Sequence, residues 1–361
     1  MNARPTATPH RRTFLAGLSA LALAPVLAAC GGDSGSSTSG SDAGSTPSGS
    51  GSASTEEAAF PVTITHKYGE TTLEKAPTRV VCVGLTEQDA LLALGIVPVA
   101  VTEWFGDAPG YIFPWATDAL GDAELPEVLQ DTDGVQIEKV AALQPDLIIG
   151  QYTGLKESEY ELLSKIAPTV AQSGDYADYG APWDEMALTI GTAVGQPEKM
   201  QGIIDDVKTQ ISDAAAAHPE FQGQSAIVVT PYEGLFIYGP EDPRTRMLTD
   251  LGFTFPADLF GGDQEKFGES FSAERTSDLD QVGVTVWLDI AAEPSVQKIY
   301  EQTTAAAEGR WFDISEDAGA YYVAHSFVTP LSIPYVLERY VPQLAAAADG
   351  DPATVPPTSA E

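Results

Sequence analysis

Cysteine is nearly absent from this chain of 361 residues: the two present exclude a disulfide-stapled scaffold and any thiolate-rich zinc or iron–sulfur site. Histidine is almost as sparse, at four, so a directly ligated metal ion has few imidazoles to draw on. Basic residues are scarce too. Eighteen Lys and Arg stand against 52 Asp and Glu, a formal charge of -34 that repels phosphate backbones and excludes a nucleic-acid partner. Catalytic signatures are missing as well: there is no GxSxG elbow, no Walker loop, no HExxH and no GxGxxG between a strand and a helix. No catalytic residue, no cofactor and no bound metal is therefore expected. What the chain does have is 43% hydrophobic residues, enough for a sizeable folded body.

The first segment reads as an address. Residues 1–29 hold three Arg and no acid, then an apolar run broken by Gly17 and Pro25, the pattern of an export signal peptide. The run ends Leu27-Ala28-Ala29-Cys30-Gly31, which resembles the lipobox of bacterial lipoproteins and would make Cys30 the lipidated first residue. Arg11-Arg12-Thr13-Phe14-Leu15 resembles a twin-arginine export motif; an ordinary secretory signal is the alternative. Residues 30–59 are almost all Ser, Gly, Thr, Ala and Asp, too poor in apolar surface to fold. Such a linker spans on the order of 30 Å. The expectation is an extracytoplasmic monomer, tethered by lipid at Cys30 to the outer face of the cell membrane. Cys82, within the apolar run Val80-Val81-Cys82-Val83, is expected to be a buried small hydrophobe.

The body alternates short apolar strand runs with helical patterns, which predicts an α/β fold with mostly parallel sheets covered on both faces. An N-terminal lobe is expected over 60–182 and a C-terminal lobe over 223–348, with a frayed tail at 349–361. In the second lobe 226–229, 284–288 and 320–323 read as strands, and 244–251 and 331–347 as helices. Between the lobes, in a helical segment over 183–222, Met200, Ile203, Ile204, Val207 and Ile211 fall on one helical face. One long rigid helix joining two lobes predicts a ligand cleft between them.

Aromatic residues mark the ends of these strands. Trp104, Tyr152 and Tyr232 each follow one, Tyr179 lies in a loop before the joining helices, and Phe327 follows the stretch read as a strand at 320–323. Carboxyl ends of strands face the ligand crevice in open α/β sheets, where flat rings can grip a bulky organic molecule. Packing beneath a loop is the other use for such rings. Arg244 shares a helical face with Met247 and Leu248, so its guanidinium could hold anionic oxygens of a ligand; an ion pair with Asp242 is the competing use. Glu138 and Glu274 each open a short helix at corresponding places in the two lobes, either as helix-dipole partners or as docking knobs for a two-subunit partner.

Three stretches carry a family resemblance: Ala76-Pro77-Thr78-Arg79-Val80-Val81, Asp89-Ala90-Leu91-Leu92-Ala93-Leu94-Gly95 and, most specific, Ile137-Glu138-Lys139-Val140-Ala141-Ala142-Leu143-Gln144-Pro145-Asp146-Leu147-Ile148-Ile149. Through them the body resembles the iron–siderophore/vitamin B12 family of ABC-transporter substrate-binding lipoproteins. The resemblance implies capture of a ferric siderophore between the lobes and delivery to an ABC permease dimer with its ATPase, docked through Glu138 and Glu274. Cobalamin, haem or a bare metal ion are alternative ligands. An extracellular α/β enzyme, or an envelope interaction protein that has lost its ligand, are the alternatives from other classes.

Overall fold

Strand residues 80–83 alternate between two apolar clusters: Val80 and Cys82 enter one, Val81 and Val83 the other. The same alternation recurs at 226–229, where Ala226 and Val228 face one cluster and Ile227 and Val229 another. A strand apolar on both sides must be covered on both faces, and that requirement produces the layered architecture of the chain. The computed structural model describes residues 60–130, 134–260, 267–354 and 356–357. The signal peptide and Cys30 expected above lie outside the described residues.

The first lobe opens with a hairpin of β1 (Val62–His66) and β2 (Gly69–Leu73). There follow β3 (Val80–Cys82), α1 (Glu87–Ala93), β4 (Ala100–Thr102), α2 (Thr117–Leu120), β5 (Glu127–Leu129), α3 (Ile137–Ala142), β6 (Leu147–Gly150), α4 (Glu157–Leu163) and β7 (Thr169–Ala171). The sheet order is β5-β4-β3-β6-β7, parallel throughout. Cys82 is fully buried and burial pushes its thiol up, so it serves as packing.

Two helices follow, α5 (Trp183–Ala193) and α6 (Pro197–Ala217). α5 packs against α1 and β1, inside the first lobe's core, so the element that crosses between lobes is α6. Its apolar stripe is divided. Met200 and Ile204 enter the first lobe's core, and Val207 and Ile211 enter the second's. One face of one helix is thus anchored at both ends, which resists bending between the lobes.

The second lobe contains β8 (Ala226–Thr230), β9 (Leu235–Tyr238), α7 (Pro243–Asp250), β10 (Gly268–Phe271), β11 (Val284–Leu288), α8 (Pro294–Tyr300), α9 (Thr304–Ala307), β12 (Trp311–Ile314), α10 (Ala320–Ser326) and α11 (Ser332–Ala348). Its order, β10-β9-β8-β11-β12, repeats the first lobe's plan. The pairing differs on one side: β8–β9 and β9–β10 are antiparallel, while β8–β11 and β11–β12 are parallel.

One expected element changes type. Residues 320–323, read as a strand, begin the helix α10. A short apolar run has no decisive period of its own, and tertiary burial chose the helix. Tyr321, Ala324 and His325 face inward, while Val323 and Phe327, one helical turn apart, face Trp104. The described part of the C-terminal segment lies against the body, with Gln343 Nε2 donating to the Pro357 carbonyl at 2.8 Å.

Candidate functional site

In the first sheet the chain builds β3, β4 and β5 in one direction and then returns to place β6 on the other side of β3. A ligand crevice is expected where this order reverses, beyond the carboxyl ends of β3 and β6. Two loops meet there. Glu87, just after β3, is buried and accepts hydrogen bonds at Oε1 from the backbone N–H groups of Gln151 and Tyr152, at 2.7 and 2.9 Å. Burial raises its carboxyl pKa, and these donors oppose the rise. A Cβ on Gly84 would lie 1.9 Å from the same carboxylate, so a larger residue there would push Glu87 off these donors. Glu87 thereby fixes the loop carrying Tyr152, a positioning role that sequence reasoning missed.

Tyr152 is 3% exposed. Its ring meets Tyr179 edge-on at 5.2 Å and Phe327, from the second lobe, at 6.2 Å and 90°. Phe327 also meets Trp104 edge-on at 5.2 Å and stacks on the exposed Phe105 at 5.2 Å. Trp104 in turn touches Phe113 edge-on at 5.2 Å. Four of the six expected ligand residues, Trp104, Tyr152, Tyr179 and Phe327, therefore form one continuous aromatic seam with contributions from both lobes. Trp104 is 8% exposed, and its buried indole Nε1 has no hydrogen-bond partner among the described residues. A buried N–H without a partner is costly, and an acceptor on a ligand entering between the rings would satisfy it.

Arg244 reaches the seam from α7. Asp242 caps that helix, accepting from the Arg244 backbone N–H at 2.8 Å, and its two carboxylate oxygens also receive Arg244 Nε at 2.8 Å and Nη2 at 2.7 Å. The ion pair considered from the sequence is present, and it coexists with a place at the seam. The guanidinium lies 3.8 Å above the Tyr238 ring and acts electrostatically on Tyr152 and Tyr322. Burial pushes Tyr322 up to about 12, with neighbouring Tyr238, Glu316 and Asp289 adding to the rise and Arg244 opposing it. Tyr238 and Tyr322 were not expected here. The strand reading of 320–323 hid Tyr322, and nothing in the sequence distinguishes Tyr238 from a core ring.

Tyr232 stands apart. It follows β8 as expected but is 61% exposed, without a ring contact among the described residues. Arg246 donates through Nη1 to the Gly180 carbonyl, linking α7 to the loop before α5.

A second, hydrophilic link joins the lobes. Asp89 on α1 is buried, and its Oδ2 accepts from Trp115 Nε1 at 2.7 Å and from Thr329 Oγ1 at 2.6 Å, the latter at the entrance to α11. Burial raises its pKa to about 6, against the two hydrogen bonds that lower it. Elsewhere, Glu138 and Glu274 are exposed in the first turns of the helical segments that lead into β6 and β11, the corresponding strands of the two sheets.

The profile of the periplasmic binding protein family matches residues 80–318. The chain belongs to that family. This binding protein is 35% identical to a periplasmic solute binding protein of Mycobacterium smegmatis, whose crystal structure superposes with a TM-score of 0.69 over 80% of this chain and 99% of that one. The ferrichrome complex of PiaA from Streptococcus pneumoniae is 28% identical, with a TM-score of 0.70 over 80% and 99% of the respective chains. The Fe(3+) dicitrate-binding periplasmic protein FecB of Escherichia coli is 27% identical over 217 residues, 58% of this chain and 67% of that one. Family membership makes this a solute-binding protein, not an enzyme. The two-lobed α/β fold with mostly parallel sheets is shared with its solved relatives.

Proposed function

We propose that the protein captures a ferric siderophore outside the cell membrane and delivers it to an ABC permease dimer with its ATPase. The observation that carries this reading is the aromatic seam, in which Trp104 and Tyr152 from one lobe converge on Phe327 from the other while the Trp104 N–H lacks an acceptor among the described residues. A siderophore already fills the coordination sphere of its iron, so the protein has only to hold the organic shell. Rings and a few directed donors do that. A bare cation would need several ligating side chains together, and among the described residues no three His, Cys, Asp or Glu are so gathered. Relatives that bind ferric dicitrate and ferrichrome support the same reading.

The remaining parts of the proposal follow the chain. Lipid at Cys30 would hold the protein to the membrane's outer face; among the described residues no helix is long and apolar enough to cross it. Glu138 and Glu274 would meet basic pockets on the permease, steering and orienting the complex more than tightening it. The test is quenching of intrinsic fluorescence by a panel of ferric siderophores and their iron-free forms. Saturable quenching by a ferric complex, at concentrations where the iron-free form has no effect, is the expected result. Quenching by cobalamin or haem alone would overturn the proposal.

A further inference from the structure

The charges around the seam are unevenly distributed. Arg244 is the cation that acts on its rings, and Asp242, fully buried beside it, neutralises it through two hydrogen bonds. Nη1 takes no part in that pair, and the pair contributes no net charge to the site. Among the largest influences on Tyr152, Tyr238 and Tyr322 the cation is Arg244, whereas Asp289 and Glu316 act on Tyr322. Glu103 and Asp107 act on Tyr111, which packs beside Trp104. The other guanidinium of α7, Arg246, is committed to the Gly180 carbonyl, and around Tyr176 it faces Glu185 and Asp175. The seam therefore offers hydrogen-bond donors and flat apolar surface in a field that is neutral to negative.

That combination discriminates by charge. Bringing a multiply charged anion to this site, where Arg244 is already neutralised by the buried Asp242 and the other nearby charges are the partly or fully exposed carboxylates of Asp289, Glu316, Glu103 and Asp107, costs desolvation that no free cation offsets. Iron(III) held by three singly charged hydroxamates sums to zero, and a pendant ammonium makes the complex cationic. Catecholate and citrate complexes keep net negative charge. Resting on the ferric-siderophore reading above, we propose that this site takes trihydroxamate complexes of zero or positive charge and excludes anionic ones, with Asp242 as the residue that sets the preference. The hydroxamate oxygens remain hydrogen-bond acceptors, so neutrality does not forfeit directed contacts.

Fluorescence titration of the intact protein with ferrioxamine B, ferrichrome, ferric enterobactin and ferric dicitrate tests this directly. The two hydroxamates should bind at least about 100-fold more tightly than the two anions at physiological salt, a contrast of the size expected from an uncompensated buried charge. Asp242→Asn keeps the side-chain oxygen that caps α7 and the shape of the contact, yet leaves Arg244 uncompensated. It should narrow the preference about tenfold or more, chiefly by improving the anions. Wild-type binding of ferric enterobactin or ferric dicitrate as tight as that of the hydroxamates would overturn the charge preference while leaving the siderophore reading in place. If none of the four binds, the functional proposal and this inference fall together. The wild-type comparison stands whether or not the variant folds.

Discussion

The two lobes follow one strand order and reach it by different routes. In the first, α1 carries the chain from β3 to a parallel neighbour, β4. In the second, β9 runs antiparallel to β8 and β10 antiparallel to β9, and among the described residues the return from α7 makes a single parallel bridge, Ser225 to Thr254. The turns that end α1 and α7 are nonetheless alike: Gly95 and Gly252 both take positive φ, at 80° and 107°, which ends a helix at little cost only with glycine. The difference shows in how each lobe builds its side of the site. Trp104 and Tyr152 come from loops after parallel strands, whereas Arg244, Tyr322 and Phe327 come from helices or their ends.

Removing the Arg244 guanidinium should break the comparison most severely. Arg244→Ala strands Asp242 in the interior without its partner, a loss of about 3–5 kcal/mol in unfolding free energy measured by urea denaturation. A loss below about 1 kcal/mol would mean that the pair is solvated and that the helix-built half of the site is not structural.

The Asp89 link gives the next effect, and its sign is fixed. Its folded pKa, about 6, lies above the ordinary carboxyl value of 3.8, so its contribution to stability is complete below pH 3.8 and is lost as pH rises through 6. Asp89→Asn removes the titration. The variant should therefore gain on wild type by about 2–3 kcal/mol between pH 4 and pH 7. A difference that stays flat over that range in urea unfolding would refute the burial of this charge between the lobes.

On the loop-built side the expected changes are smaller. Trp104→Phe keeps a ring but removes the unpartnered N–H, and should weaken ferric-siderophore binding about tenfold with about 1 kcal/mol lost in stability. Unchanged affinity would place the acceptor elsewhere. The smallest effect on the isolated protein belongs to Glu138→Lys with Glu274→Lys. Both positions are exposed, so stability should stay within about 0.5 kcal/mol and ligand binding should not change, while transport in cells is lost. Normal uptake by the double variant would remove the docking role.

Local chemistry written along the chain was enough to determine the layered α/β class, the strands at 226–229 and 284–288, and the stripe of α6, because apolar periodicity is a property of neighbouring residues. It was also enough to place Trp104 and Tyr152 at the ends of their strands. It did not determine that 320–323 would be helical, that Tyr322 would reach the seam while Tyr232 stayed on the surface, or that Glu87 would hold the Tyr152 loop. Nor could it assign Asp89 to Thr329, a partner 240 positions away. These outcomes depend on which surfaces meet when the lobes pack. Burial, unlike periodicity, is a property of the assembled molecule, and it alone decided which rings and which charges share the site.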